Sequence, residues 1–302
     1  MSPSDPGNFF KIRSESKARA AIFVSGSGTN AEKILNFWQE KSQDCHFEPV
    51  CIVTDRPGRC RAQELAENFG LKFVPEDIIE FYKSRGLPSI SLATDEGRKV
   101  REEWTQSMYE KIQDLDVDFG IFAGFIPLTN ITDHFPCLNV HPGDLTVCND
   151  DGERILVGLH TIPIHAAFMD EQDSLRSSVI VACAYEDSGA GMDEGIVLGI
   201  SSEVPFDYLG KDRNYWKAQY ESRGEEKPKG GWQDEYQNFL EQNQENLKVD
   251  GDWIVFPKVV NDFAAGRFAH IGEKLFYKSG VRWVPIEVIE YSKESKEIYF
   301  KS

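Results

Sequence analysis

The stretch that decides the fold is Ala20-Ala21-Ile22-Phe23-Val24, followed at once by "SGSGTNAEKIL", residues 25–35. Five consecutive apolar residues are too few for a buried helix and suit a strand covered on both faces, as strands of parallel sheets are. Gly26 and Gly28 then allow a tight turn, and an amphipathic helix follows. A strand, a glycine turn and a helix in that order point the positive end of the helix at the turn, where an anion is stabilised. Taken alone, the turn reads either as an anion cradle or as a plain structural turn. Its GxGxxN spacing departs from the dinucleotide fingerprint, and the second strand leads into "TDRPGR", where Asp55 is the acid available for a ribose. A nicotinamide oxidoreductase is therefore the weakest of the functional readings.

Outward from this unit the pattern repeats. Apolar runs at 20–24, 49–54, 71–74, 118–123 and 137–140 alternate with helical patterns near 30–42, 59–69 and 97–114. This predicts an α/β fold with an open, mostly parallel, doubly wound sheet, whose ligands gather at the carboxyl ends of the strands. After residue 176 come strands at 177–185 and 195–205, then a segment rich in Lys, Glu, Gln, Tyr and Trp. A helix over 253–265, stopped by Gly266, and short strands close the chain. The expected organisation is a flexible leader (1–19), a catalytic domain (20–206), a polar insertion (207–247) and a C-terminal helix with strands (248–302).

The formal net charge of −17 over 302 residues argues against nucleic acid and anionic membranes as partners. No apolar run approaches the roughly 20 residues needed to span a bilayer. "MSPSDPGNFFKIRSESKARA" lacks the apolar core of a secretory signal, and the six cysteines form no CxxC pair. These features predict a cytoplasmic protein with free thiols, small-molecule substrates and a monomeric or homodimeric state. An anionic ligand would need a local reversal of the overall field. Arg56, Arg59 and Arg61, or Arg98, Lys99 and Arg101, are candidates for it, with solvated helix faces as the other reading.

The chemistry is concentrated in "LNVHPGDL", residues 138–145. Residues two apart on a strand share a face, so Asn139 and His141 point into one space. An amide donates to a developing oxyanion while an imidazole moves a proton, a pairing suited to acyl transfer. The alternative is a satisfied histidine beside an asparagine that forms a turn before Pro142. A carboxylate to orient the imidazole comes from Asp193 in "GMDEGIVLG" or from Asp187 in "YEDSGAGM".

"FVSGSGTN", "FAGFIPLT" (122–129), "LNVHPGDL", "GLHT" (158–161), "SSVIVA" and "MDEGIVLG" occur together in an order and spacing that resemble the folate-dependent formyltransferases. The likeness spans about residues 20–206 and resumes in "DWIVFPKVVNDFAAGRF". It implies a Rossmann-like fold, 10-formyltetrahydrofolate as formyl donor, and no metal. The acceptor it implies is a phosphorylated primary amine, with 5-phosphoribosylglycinamide of purine biosynthesis as first choice. Asn139, His141 and Asp193 match the family's catalytic residues, and Gly26, Ser27, Gly28, Thr29 and Asn30 match its phosphate loop. Asp252 falls at its ribose carboxylate and Arg98 at an arginine near the ligands' anionic groups. Ile126, Leu128 and Asp187 fall on the folate side. A side chain at Gly28 is then expected to obstruct the phosphate.

The departures from the family are a longer stretch, "GDLTVCNDDGERILV", before GLHT, Pro127 in place of an arginine, a longer loop between 179 and 193, and the 207–246 insertion. An amino-sugar N-formyltransferase and a formyltetrahydrofolate hydrolase share the catalytic residues. The first is disfavoured by the GSGTN loop. The second is disfavoured by a leader expected to be too short for that family's N-terminal domain. A non-catalytic phosphate-binding module on the same scaffold is the remaining alternative.

Overall fold

A computed structural model describes residues 6–185, 193–224 and 228–300. A short strand β1 (Gly7–Asn8) precedes β2 (Ala18–Phe23), α1 (Thr29–Glu40), β3 (Phe47–Thr54), α2 (Ala62–Phe69), β4 (Lys72–Pro75), α3 (Ile78–Ser84) and α4 (Asp95–Ile112). The chain continues through β5 (Phe119–Phe122), β6 (Cys137–His141), α5 (Ile162–Met169), β7 (Ser174–Leu175), β8 (Ser178–Ala182), β9 (Val197–Ser201) and β10 (Val204–Pro205). Helices α6 (Arg213–Glu221), α7 (Glu235–Leu247) and α8 (Trp253–Ala264) lead to strands β11 (Phe268–Ile271), β12 (Lys274–Ser279), β13 (Arg282–Pro285), β14 (Val288–Tyr291) and β15 (Lys296–Tyr299).

The main sheet has the order β15-β14-β9-β8-β6-β5-β2-β3-β4. Strands β2 to β6, β9 and β14 run one way, and β8 and β15 run against them. The mostly parallel α/β expectation therefore holds. The alternation of side chains explains why β2 is apolar from Ala20 to its end, whereas Arg19 near its start is only half-buried and donates to the Leu115 carbonyl at 2.8 Å. Ala20, Ile22 and Val24 enter a core with α1, α2 and α8, whereas Ala21 and Phe23 enter a second core with α3 and α4. A strand buried on both faces has no position left for a polar residue. The predicted helix limits hold to within a few residues. The exceptions are α3 and α5, which the sequence reading missed because seven or eight residues span barely two turns.

Two expectations are corrected. The leader is not loose from Gly7 onward: β1 pairs with β11, Phe9 and Phe10 pack on Phe263, and Arg13 Nε donates to Asp118 at 2.5 Å. The 207–246 segment is polar in composition yet builds a core of its own. Trp216, Tyr236, Phe239 and Leu240 pack with Phe168 of α5, Phe206 and Leu156, because a few aromatics at helical spacing suffice to bury one face of α6 and α7. At its end α7 runs through a single π-helical turn, Lys248–Asp252, directly into α8. Lys248, Glu245 and Asp252 are thereby carried to the face of the molecule that bears β6.

Phe239 is fully buried and stacks on Trp216 with ring centroids 4.6 Å apart. Phe239→Ala should therefore lower the unfolding free energy by about 3–5 kcal/mol in denaturant titration. A loss below about 1 kcal/mol, as for a surface position, would show that these helices do not share the cooperative core.

Candidate functional site

His141 ends β6 and is only 2% exposed. Its Nε2 lies 2.7 Å from the carbonyl oxygen of Leu156, an atom that only accepts, so Nε2 carries a proton and donates. Its Nδ1 faces Asp193 Oδ2 at 3.5 Å. With both nitrogens facing oxygen acceptors, the doubly protonated ring satisfies both contacts and the neutral ring satisfies one. Asn139, two residues earlier on the same face, directs Nδ2 toward the other oxygen of Asp193, also at 3.5 Å. One carboxylate thus spans the amide and the imidazole. These contacts are at the loose limit of hydrogen bonding.

The turn of residues 25–28 stands opposite. Gly28 is the N-cap of α1 with φ 66°, a left-handed conformation that favours glycine, and α1 starts at Thr29 with its positive end at the turn. A Cβ at Gly28 would lie 2.7 Å from Leu65 Cδ1, in the core beneath the loop, whereas one at Gly26 meets nothing within 4 Å. This corrects the expectation for Gly28: a side chain there disturbs the packing of α2 before it obstructs any ligand. Asn30 Nδ2 donates to Asp252 Oδ2 at 3.1 Å, and Ser177 Oγ donates to Asp252 Oδ1 at 2.5 Å. Burial is the main influence on the Asp252 carboxyl and pushes its pKa upward, against the two hydrogen bonds.

Between these walls lies a cavity of about 440 Å³. Its lining brings together Gly26, Ser27, Gly28, Thr29, Asn30, Ile126, Asn139, His141, Asp193 and Asp252, residues scattered over more than 200 positions of sequence. Ile126 is 42% exposed at this lining. Leu128 and Arg98 are not among the described residues of the wall. The carbonyl of Leu128 accepts from Arg101 Nη1 at 2.7 Å, and Arg98 pairs with Asp95 and donates to Leu92 O at 2.9 Å. Asp187 lies outside the described residues.

The arginines of the basic clusters are engaged in structural contacts. Arg61 bridges Glu32 and Glu64 at 3.1 and 2.8 Å, Arg59 pairs with Asp77 at 2.8 Å, and Arg101 is buried. Sequence reasoning missed the wall supplied by α7 and the π-turn, which includes Glu241, Gln244, Glu245 and Lys248. The available signal was the spacing of Gln244 and Lys248, one helical turn apart and one turn before Asp252. Lys248 pairs with Glu245 at the cavity. Among the described residues no group of three or more His, Cys, Asp or Glu is arranged to hold a metal ion, and no helix is long and apolar enough to cross a membrane.

No protein-family model matches the sequence, and no curated protein matches it. Solved structures do match in fold. Glycinamide ribonucleotide transformylase 1 from Symbiobacterium toebii superposes with a TM-score of 0.56 at 19% identity, over 87% of this chain and 95% of that one. Phosphoribosylglycinamide formyltransferase from Coxiella burnetii gives 0.57 at 15% identity, over 89% and 96%. Formyltetrahydrofolate deformylase from Burkholderia mallei gives 0.54 at 14% identity, over 87% and 71%. The chain has the Rossmann-like α/β fold of these enzymes.

The raised carboxyl of Asp252 makes a pH prediction. Its folded-state pKa lies above the unfolded value of about 4, so its neutral form is favoured by folding. That contribution is fully present below the unfolded pKa and is lost as pH rises through the folded one. Relative to Asp252→Asn, the wild-type unfolding free energy should therefore decline from about pH 4 toward neutrality. Parallel profiles for the two proteins in denaturant titrations across this range would show that the carboxyl is not destabilised by burial.

Proposed function

We propose that the protein transfers a formyl group from 10-formyltetrahydrofolate to the primary amine of a phosphorylated acceptor, with 5-phosphoribosylglycinamide as the first candidate. The observation that carries this reading is one cavity in which Asn139, His141 and Asp193 lie opposite the glycine turn and the start of α1. The fold, shared with two formyltransferases that act by name on phosphoribosylglycinamide or its synonym, supports the same chemistry.

In this reading the acceptor's phosphate rests on residues 26–30 at the positive end of α1, and Asp252 takes the ribose hydroxyls. Lys248 supplies the nearby positive charge, the role that Arg98 was expected to fill. The neutral amine attacks the formyl carbon. The Nδ2 of Asn139 donates to the oxygen that becomes negative, and a doubly protonated His141 places positive charge beside it. Asp193 holds the imidazole by its Nδ1 and receives the proton released by the amine, directly or through one water. The C–N bond to the folate nitrogen then breaks, and that nitrogen takes up the proton. The donor lies on the side of Ile126.

Purified protein assayed with 10-formyltetrahydrofolate should formylate 5-phosphoribosylglycinamide, while folate turnover without any amine would identify a hydrolase instead. Asn139→Ala should raise the barrier by about 2.7–4 kcal/mol, the usual loss for one oxyanion donor. Asp193→Asn should lower kcat by orders of magnitude with little change in the acceptor's KM. Gly26→Val, which meets no core atom, should raise the KM for the phosphorylated acceptor and weaken competition by inorganic phosphate. Equal use of an unphosphorylated amine, with Gly26→Val silent, would overturn the phosphate assignment.

A further inference from the structure

The longer stretch between LNVHP and GLHT forms a small hairpin. Asn149 N donates to Glu153 O at 2.9 Å, Ile155 N to Val147 O at 3.3 Å, and Cys148 bridges Arg154. Its root is fixed by Leu145 N, which donates to Ser178 Oγ at 2.9 Å. Its returning strand carries two contacts, two residues apart, to two members of the site. The carbonyl of Leu156 accepts a hydrogen bond from His141 Nε2. The guanidinium of Arg154 donates through Nη1 to the backbone carbonyl of Asp193 and through Nη2 to that of Gly195, the latter at 2.9 Å. Leu156 is 1% exposed and packs in the core of α5, α6 and α7, so the strand that makes these contacts is seated on the 207–246 segment.

We infer that Arg154 is a positioning residue, which holds the Asp193 turn against His141 and so sets the geometry of the pair. The inference rests on the proposed chemistry at His141. Two donors in a rigid fork hold two carbonyls of one turn, which fixes both its distance and its rotation. The opposite contact of the strap is equally tight. A Cβ at Gly143 would lie 2.5 Å from the Leu156 oxygen and 3.1 Å from His141 Nε2, so the strap approaches β6 as closely as a glycine permits. The two departures from the formyltransferase pattern then act together: the insertion supports the strap, and the strap fixes the catalytic pair.

The test uses the full chain, 10-formyltetrahydrofolate and 5-phosphoribosylglycinamide. Arg154→Gln should reduce kcat by about 100-fold, the scale of a 1 Å misplacement, and leave the acceptor's KM and the Tm near wild type. Added guanidinium should restore part of the activity of Arg154→Ala, and Gly143→Ala should reproduce the loss of kcat. An unchanged kcat, or kcat, KM and Tm falling together without rescue, would overturn the assignment. A second readout needs no turnover. In ¹H–¹⁵N spectra, Asp193→Asn should move the His141 ring resonances strongly in the wild-type background and weakly in Arg154→Gln. Equal movement in both backgrounds would refute the positioning role. An inactive wild type with the expected spectra would refute formyl transfer and leave the positioning role standing.

Discussion

The site depends on one buried carboxyl. Asp252 joins three distant parts of the chain: Asn30 in the first turn of α1, Ser177 at the edge of β8, and the π-turn that leads into α8. Burying it costs free energy, which the hydrogen bonds from Ser177 and Asn30 offset only in part. Through these bonds the glycine turn, the central strands and the end of α7 are held around one cavity. A local departure from α-helical geometry at Lys248–Asp252 joins α7 to α8 at this point, and π-turns are frequent at functional positions.

The helices of the 207–246 segment are part of this arrangement. Their aromatic core supports Leu156, and Leu156 in turn accepts from His141. Removal of buried aromatic contacts far from the cavity therefore bears on the orientation of the imidazole as well as on stability. A longer hairpin and an extra helical pair look separate in sequence, yet they pack together behind His141.

Charge is distributed in a way that the total of −17 conceals. Arginines near the loops are bound to carboxylates or backbone carbonyls and stabilise the scaffold. At the cavity the positive groups are the backbone dipoles at the start of α1 and Lys248, which is itself paired with Glu245. Glu241 and Glu245 share the wall with them.

The sequence by itself determined the parallel sheet, because strands buried on both faces leave unbroken apolar runs and glycine turns between them. It also determined the pairing of Asn139 with His141, since strand alternation is a local property that needs only a two-residue spacing. Asp193 as their partner was legible only as one of two acids in a loop. Tertiary structure alone decided that it faces both, that Arg98 stands away from the described wall, and that Arg154, Leu156 and Lys248 surround the site. Those contacts join residues that are distant in the chain, through backbone carbonyls that carry no side-chain signature and through helices whose polar composition hides a narrow aromatic face. Such relations arise from packing, and packing is not written in the local pattern of residues.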